Sequence, residues 1–318
     1  MTFSTLRSFN TLRAGDLIGV IAPAGPVAPA ALPAVQALYA RHGYCVRLYP
    51  GCHAHTGYLA GPDALRLADL HAALADDEVV AIHCLRGGYG AMRLLDGVDA
   101  ALLRAKPKLL IGYSDITALH ALWALHGLPS LHAPMPASDL IKPGREDDEE
   151  ALFHLLRHGL LAGAVMTPVL APALATGALH VPGEAAGPLI GGNLSLVAAL
   201  LGTPWAWQAR GAILFLEDTH EDLYRIDRLL TQLRLAGVLD EVAGFVLGSF
   251  TEKASPWDLL RDMLVPLCRQ QGKPLLGGWP TGHGTPNRPL PMGLRVHLQA
   301  RADGSGQLQW LQDFMRAA

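Results

Sequence analysis

Between residues 16 and 133 the chain alternates short apolar runs with segments of helical spacing, and nothing else in the sequence restricts the fold so tightly. Asp16–Ala22 (DLIGVIA), Tyr44–Tyr49 (YCVRLY), Val79–Leu85 (VVAIHCL), Lys108–Tyr113 (KLLIGY) and Ser130–Ala133 read as strands. The first is followed by the turn Pro23–Pro26 and an Ala/Leu-rich helix to about His42. Pro62–Ala75 places apolar residues at helical spacing, and Ala91–Leu95 reads as a short helix. Asp115–His126 is apolar on nearly every face, so it reads as a helix sunk in the core, stopped by Gly127 and Pro129. Strands that alternate with helices form a parallel sheet covered on both faces, hence an α/β fold. In such sheets ligands bind beyond the carboxyl ends of the strands. Ser114 and the glycine-rich turn Gly87–Gly90 both fall on that edge.

A chain of 318 residues is long for a single core, and two domains are expected. The first covers residues 1–140. A linker region follows at 141–186, comprising the charge run Arg145–Glu150 (REDDEE), a helix ending at Gly159, and an Ala/Pro/Gly-rich stretch with one possible strand. The second domain, 187–318, is a smaller α/β unit with some antiparallel pairing. In it Asn193 reads as a helix N-cap and Ala212–Leu216 as a core strand. Asp222–Ala236 is amphipathic, with Leu223, Ile226, Leu229, Leu230 and Leu233 on one face. Val242–Phe250 and Leu275–Trp279 read as further strands, and Leu294–Ala300 with Gln307–Leu311 as a hairpin about Asp303-Gly304.

Composition excludes several classes of function. A net charge of −3 gives nucleic acid no electrostatic reason to bind. No run approaches the roughly 18–20 uncharged apolar residues of a membrane span. The N-terminus, MTFSTLRSFNTLRAGD, lacks the apolar stretch of a secretory signal, so a soluble cytoplasmic protein is expected. Cys45, Cys52, Cys84 and Cys268 form no CxxC pair, and Cys45 and Cys84 read as small core residues. His154 and His158 have i,i+4 spacing but no acidic partner within the motif, and Cys52-His53-Ala54-His55 has no carboxylate nearby. Neither reads as a metal site, and no cofactor is expected.

Ser114 lies where a strand hands over to a helix. The N–H groups of a helix start are unpaired and carry partial positive charge, so the Asp115 N–H stands ready for a developing oxyanion. Ser114 is therefore either a nucleophile or an ordinary N-cap. A nucleophilic serine needs a base, and the base an orienting acid. His283, in the glycine-flanked loop Thr281–Pro286, is the candidate base, its small neighbours leaving the imidazole open. Glu217 follows four apolar strand residues, a costly position for a carboxylate unless something such as a histidine Nδ1–H pairs with it. Asp218 and Thr219 read instead as caps for the helix after them. Gly112–Ile116 lacks the second glycine of G-x-S-x-G, which argues against an ordinary α/β-hydrolase elbow. Gly87–Gly90 is too short for a dinucleotide fingerprint, but its backbone offers a second oxyanion donor.

These pieces together resemble the LD-carboxypeptidase family of serine peptidases. The resemblance rests on APAGPV (Ala22–Val27), LRGGYGAMRLL (Leu85–Leu95), KLLIGYSDITALH (Lys108–His120), HAPM (His132–Met135), GGNLSL (Gly191–Leu196), FLED (Phe215–Asp218), YRIDRLLTQLRLAG (Tyr224–Gly237) and GHGTPNRPLPMG (Gly282–Gly293), in family order from about Gly15 to Gly293. It implies a Rossmann-like N-terminal domain, a smaller C-terminal α/β domain and a homodimer. It implies Ser114 as nucleophile, Glu217 as acid and His283 as base, with an oxyanion hole of backbone N–H groups from Asp115 and from Gly87 or Gly88. The implied activity is release of the terminal D-alanine from murein tetrapeptides in cell-wall recycling, so the implied partner is a muropeptide. A neighbouring branch hydrolyses microcin-type aminoacyl-nucleotide antibiotics, and a non-catalytic small-molecule binding protein is the reading from another class. A carboxypeptidase must also sense a free carboxylate, for which Arg86 and Arg288, both beside the proposed catalytic loops, are the candidates.

Overall fold

The computed structural model describes residues 8–168, 179–251 and 255–317. The chain forms two compact units: the first is 1–159 with returns at 288–290 and 315–318, the second 160–287 and 291–314. Compactness thus leaves no separate middle segment among the described residues. The helix after the charge run belongs to the first unit, and the strand Gly183–Asn193 to the second.

In the first unit β1 (Leu17–Ile21), β2 (Cys45–Leu48), β3 (Val79–Cys84), β4 (Leu109–Gly112) and β5 (Ser130–His132) lie in the order β5-β4-β3-β1-β2. Every pairing among these five is parallel. This is a doubly wound order, with its switch point between β1 and β3. There the two following turns meet, the Gly25 N–H donating to the Gly87 carbonyl at 3.1 Å. The helices α1 (Leu32–Arg41), α2 (Asp63–Ala75), α3 (Thr117–Leu125) and α4 (Glu146–His158) follow the expected pattern. Every residue of α3 from Thr117 to Trp123 is buried, as its all-round apolar sequence requires. Residues 91–97 form a 3-10 helix rather than an α-helix. Cys84 is buried, but Cys45 is exposed, because β2 is the edge strand and alternates burial along its length.

The second unit is built on a mixed sheet. β6 (Gly183–Asn193), β7 (Ile213–Thr219), β8 (Gly244–Thr251) and β9 (Leu275–Leu276) pair in parallel, while β10 (Arg295–Ala300) runs antiparallel to β6 and to β11 (Gly306–Trp310). Asn193 caps the short helix α5 (Leu194–Ala199), its side chain accepting from the Leu196 N–H. Helix α6 (Leu223–Leu235) buries Ile226, Leu230 and Leu233, each worth roughly 1.5–3 kcal/mol, whereas Leu223 is exposed. Helix α7 (Trp257–Gln271) has no counterpart in the sequence reading. Its core face of Leu260, Leu264, Val265 and Cys268 is helix-spaced, but Pro266 interrupts the signal. Among the described residues no helix is long and apolar enough to cross a membrane. The Ala/Pro/Gly-rich stretch and the N-terminal residues fall in part, at 169–178 and 1–7, outside the described residues.

Candidate active site

In the first unit, β4 ends at Gly112, Tyr113 is extended, and Ser114 opens a 3-10 turn that leads into α3. Ser114 has φ +64°, in the left-handed region where a non-glycine residue costs on the order of 1–3 kcal/mol. It does not stand at an N-cap position: Tyr113 precedes the turn and Ile116 precedes α3, neither capping with its side chain. Strain of this kind persists where the surrounding structure over-determines it, and here both flanks are fixed. His120, pushed down to about 4 by burial, is neutral. Its ring nitrogens lie 2.9 Å from the Gly112 carbonyl (Nε2) and 2.8 Å from Ser130 Oγ (Nδ1). A carbonyl only accepts, so the proton is on Nε2 and the Ser130 hydroxyl donates to Nδ1. The Tyr113 hydroxyl donates to buried Asp139 at 2.9 Å, and Asp139 also accepts from the Met135 N–H at 2.9 Å.

Across from Ser114 runs the turn after β3. A Cβ on Gly87 would lie 2.9 Å from Ser114 Cβ, 3.0 Å from its Oγ and 3.5 Å from the Asp115 nitrogen. Only a hydrogen fits there, and the backbone of the turn therefore approaches the serine hydroxyl directly. Arg86 anchors the turn from outside, donating from Nε to the Gly87 carbonyl and from Nη1 to the Pro26 carbonyl, each at 3.2 Å. Arg288 donates from Nη1 to the Asp147 carbonyl at 2.5 Å, at the start of α4. Both arginines thus spend part of their donor set on backbone.

In the second unit, Glu217 is fully buried on β7. The β7–β8 register shifts between Leu216 and Asp218, so that Glu217 stands opposite two residues, Gly248 and Ser249. Bulges of this type re-aim side chains beside functional sites. This one also binds the histidine loop: the Ser249 N–H donates to the Thr281 carbonyl at 2.9 Å and its Oγ accepts from the Gly284 N–H at 2.8 Å. His283 lies between, with Nδ1 2.7 Å from Glu217 Oε2 and its backbone N–H donating to the same oxygen at 3.2 Å. A carboxylate there keeps the ring proton on Nδ1 and the basic lone pair on Nε2. A Cβ on Gly282, which has φ +122°, would be 2.7 Å from Glu217 Oε2. The glycine before His283 therefore serves close approach to the acid rather than openness to solvent. Asn287, buried and unmarked by the sequence reading, holds the loop from its other end by accepting from the Gly282 N–H at 2.9 Å.

Asp218 departs from expectation. Helix α6 starts at Asp222 with no side-chain cap. Asp218 instead serves the start of α5, accepting from Asn193 Nδ2 at 2.8 Å, the Ser195 N–H at 3.0 Å and Ser195 Oγ at 2.9 Å. Burial, with the neighbouring Glu217 charge, pushes its carboxyl up to about 6. Among the described residues no three His, Cys, Asp or Glu side chains are grouped to hold a metal ion. His154 and His158 pack ring against ring, 4.4 Å between centroids.

Two family models match the chain: the LD-carboxypeptidase N-terminal domain over residues 18–133 and the LD-carboxypeptidase C-terminal domain over 186–298. The chain is 38% identical over 298 residues to a probable murein peptide carboxypeptidase of Bacillus subtilis, covering 90% of each. It is 33% identical over 299 residues to the murein tetrapeptide carboxypeptidase of Pseudomonas aeruginosa, covering 92% of this chain and 94% of the relative. The crystal structure of muramoyltetrapeptide carboxypeptidase from Oxalobacter formigenes superposes with a TM-score of 0.81 at 31% identity, covering 94% of this chain and 99% of that one. With both domains matched in order and nine-tenths of its length aligned to such relatives, this chain belongs to the LD-carboxypeptidase family.

Proposed function

We propose that the protein is a serine LD-carboxypeptidase that cuts the bond between an L-centre and the terminal D-alanine of murein tetrapeptides. The substrate class rests on relatives of 31–38% identity that carry that activity in their names. The observation that carries the chemistry is the 2.7 Å bond from His283 Nδ1 to the buried Glu217, which prepares Nε2 as a base. His283 takes the Ser114 proton as Oγ attacks the peptide carbonyl, and the N–H groups of Asp115 and of Gly87 or Gly88 receive the oxyanion. Collapse breaks the C–N bond, and His283 returns the proton to the departing amine of D-alanine. Water then repeats the sequence on the acyl-enzyme, releasing the tripeptide acid and regenerating Ser114. Glu217 holds the tautomer and stabilises the imidazolium throughout. Arg86 and Arg288 are the proposed partners of the terminal carboxylate, through donors other than those bound to backbone. The same reading takes the protein as cytoplasmic, where recycled wall fragments are trimmed, and as a homodimer.

The decisive experiment mixes purified protein with a murein tetrapeptide and, separately, with an aminoacyl-sulfamoyl nucleotide, and measures D-alanine and nucleotide breakdown. D-Alanine release that disappears in Ser114→Ala is the expected result. Consumption of the nucleotide with the tetrapeptide untouched assigns the microcin-type activity instead. Tight binding of either compound without turnover by the unaltered protein assigns the binding-protein class.

A further inference from the structure

We infer that the Asp115 side chain is a positioning residue: together with Arg66 it clamps the Gly90–Ala91 peptide and so fixes the oxyanion turn against Ser114. The inference rests on the proposed reading of Ser114 as nucleophile and extends it from the backbone of Asp115 to its carboxylate. That carboxylate is 1% exposed, and its Oδ2 accepts from the Ala91 N–H at 2.7 Å. The other end of the same peptide unit, the Gly90 carbonyl, accepts from Nη1 of the fully buried Arg66 at 3.0 Å. Arg66 is itself held in place, donating from the same nitrogen to the Pro23 carbonyl and from Nη2 to Asp63. One peptide plane is therefore gripped at both of its polar ends by buried side chains of opposite charge.

The placement has a consequence for catalysis. At its other end the turn is tied by backbone bonds, the Gly87 carbonyl accepting from the Gly25 N–H and the Leu85 carbonyl from the Ala137 N–H at 3.0 Å, and by Arg86, whose Nε donates to the same Gly87 carbonyl. The Gly90–Ala91 end is the one gripped by two buried charged side chains, and one of them belongs to the neighbour of Ser114. Asp115 thus contributes its N–H to the oxyanion site and its carboxylate to the loop proposed to supply the second donor. One residue ties both donors to one frame, so their spacing is set before substrate arrives. A neutral cap would satisfy the Ala91 N–H at lower cost. The buried carboxyl is pushed up to about 6 by desolvation, with the Ala91 bond and the Arg66 charge acting against that rise.

The test compares Asp115→Ala and Asp115→Asn for D-alanine release and for the rate at which a fluorophosphonate phosphonylates Ser114, a step in which Oγ bonds phosphorus and fluoride leaves. Loss of a preorganised oxyanion donor costs about 10²–10³ in kcat. Asp115→Ala is expected to lower kcat and the phosphonylation rate by about that factor, with KM within about threefold. Asp115→Asn, whose Oδ1 still accepts from Ala91, is expected to restore both to within about tenfold of wild type. Should the alanine variant not fold, Asp115→Leu keeps the side-chain volume and takes its place. Equal rates in the wild type and the alanine or leucine variant overturn the inference, as does a loss that asparagine does not relieve. A wild-type Ser114 that the fluorophosphonate never labels overturns the nucleophile reading itself, which separates the two failures.

Discussion

Gly87→Ala isolates the close approach on which the proposed chemistry depends. Gly87 does not have a left-handed φ, so alanine suits its backbone, and any effect comes from the methyl group alone. That carbon would stand 2.9 Å from Ser114 Cβ and 3.0 Å from Oγ, whereas ordinary carbon contacts begin at about 3.5 Å. About half an ångström must be found, and neither side yields easily. Ser114 is set between β4 and the buried start of α3, and the turn is held by Gly25, Arg66 and Asp115. If the turn retreats, a donor meant to lie about 2.7–3.1 Å from the oxyanion moves out toward 3.5 Å, where the bond is weak. If it does not retreat, the methyl group stands 3.5 Å from the Asp115 nitrogen, in the space the carbonyl oxygen needs. Both routes remove one oxyanion donor, so kcat should fall about 10²–10³-fold, equivalent to about 3–4 kcal/mol of transition-state stabilisation. Overpacking should cost no more than about 1–3 kcal/mol of stability, leaving a folded enzyme to measure. Steady-state D-alanine release through a D-amino-acid oxidase couple gives kcat and KM, and thermal unfolding reports the fold. A kcat within about threefold of wild type, with the methyl group seen at its expected position, would refute the assignment of this turn to the oxyanion.

Other perturbations bear on different parts of the site. Ser114→Ala and Ser114→Gly should both lose about 10⁴–10⁶ in turnover, but the glycine variant should be the more stable by about 1 kcal/mol because it relieves the left-handed backbone; equal denaturation midpoints would remove the strain argument. Glu217→Gln should lower kcat by about 10²–10⁴ while the Ser114 hydroxyl stays in place, since the amide no longer stabilises the imidazolium; unchanged kcat would exclude Glu217 from the mechanism. Asp115 has a folded-state value of about 6, above its unfolded value, so its ionised form is disfavoured in the fold and its contribution to stability falls as pH rises from about 4 to 6. Wild type should therefore gain about 2 kcal/mol relative to Asp115→Asn between pH 7.5 and pH 4.5, measured by urea unfolding at both; a pH-independent difference would contradict the raised value. Activity should survive exhaustive chelation, since the proposed steps use only side chains and backbone.

The parts of this fold that the sequence discloses are those in which one short segment carries its own physical signature. The runs at 16–22, 79–85 and 108–113 are mostly apolar and do not alternate, because strands inside a doubly wound sheet are covered on both faces, and they appear as β1, β3 and β4 within a residue or two. Ser114, Glu217 and His283 stand out as candidates for a related reason, since each is a polar residue at the end of an apolar run or among glycines. What escapes is set by groups distant in sequence. The left-handed φ of Ser114 is imposed by its surroundings, not by any preference of serine. The β7–β8 bulge that aims Glu217 depends on register between strands, and register leaves no mark on either strand alone. Gly282 reads as a loop residue, yet its function is measured against a carboxylate 65 positions earlier. Asp218 looks like a cap for the helix ahead of it and caps the one behind, because the parallel pairing of β6 with β7 brings the start of α5 to it. The grip of Arg66 and Asp115 on one peptide joins three segments with no common period. A buried charged side chain can be recognised in sequence only by its cost, and the partner that offsets that cost is visible only once the chain has folded.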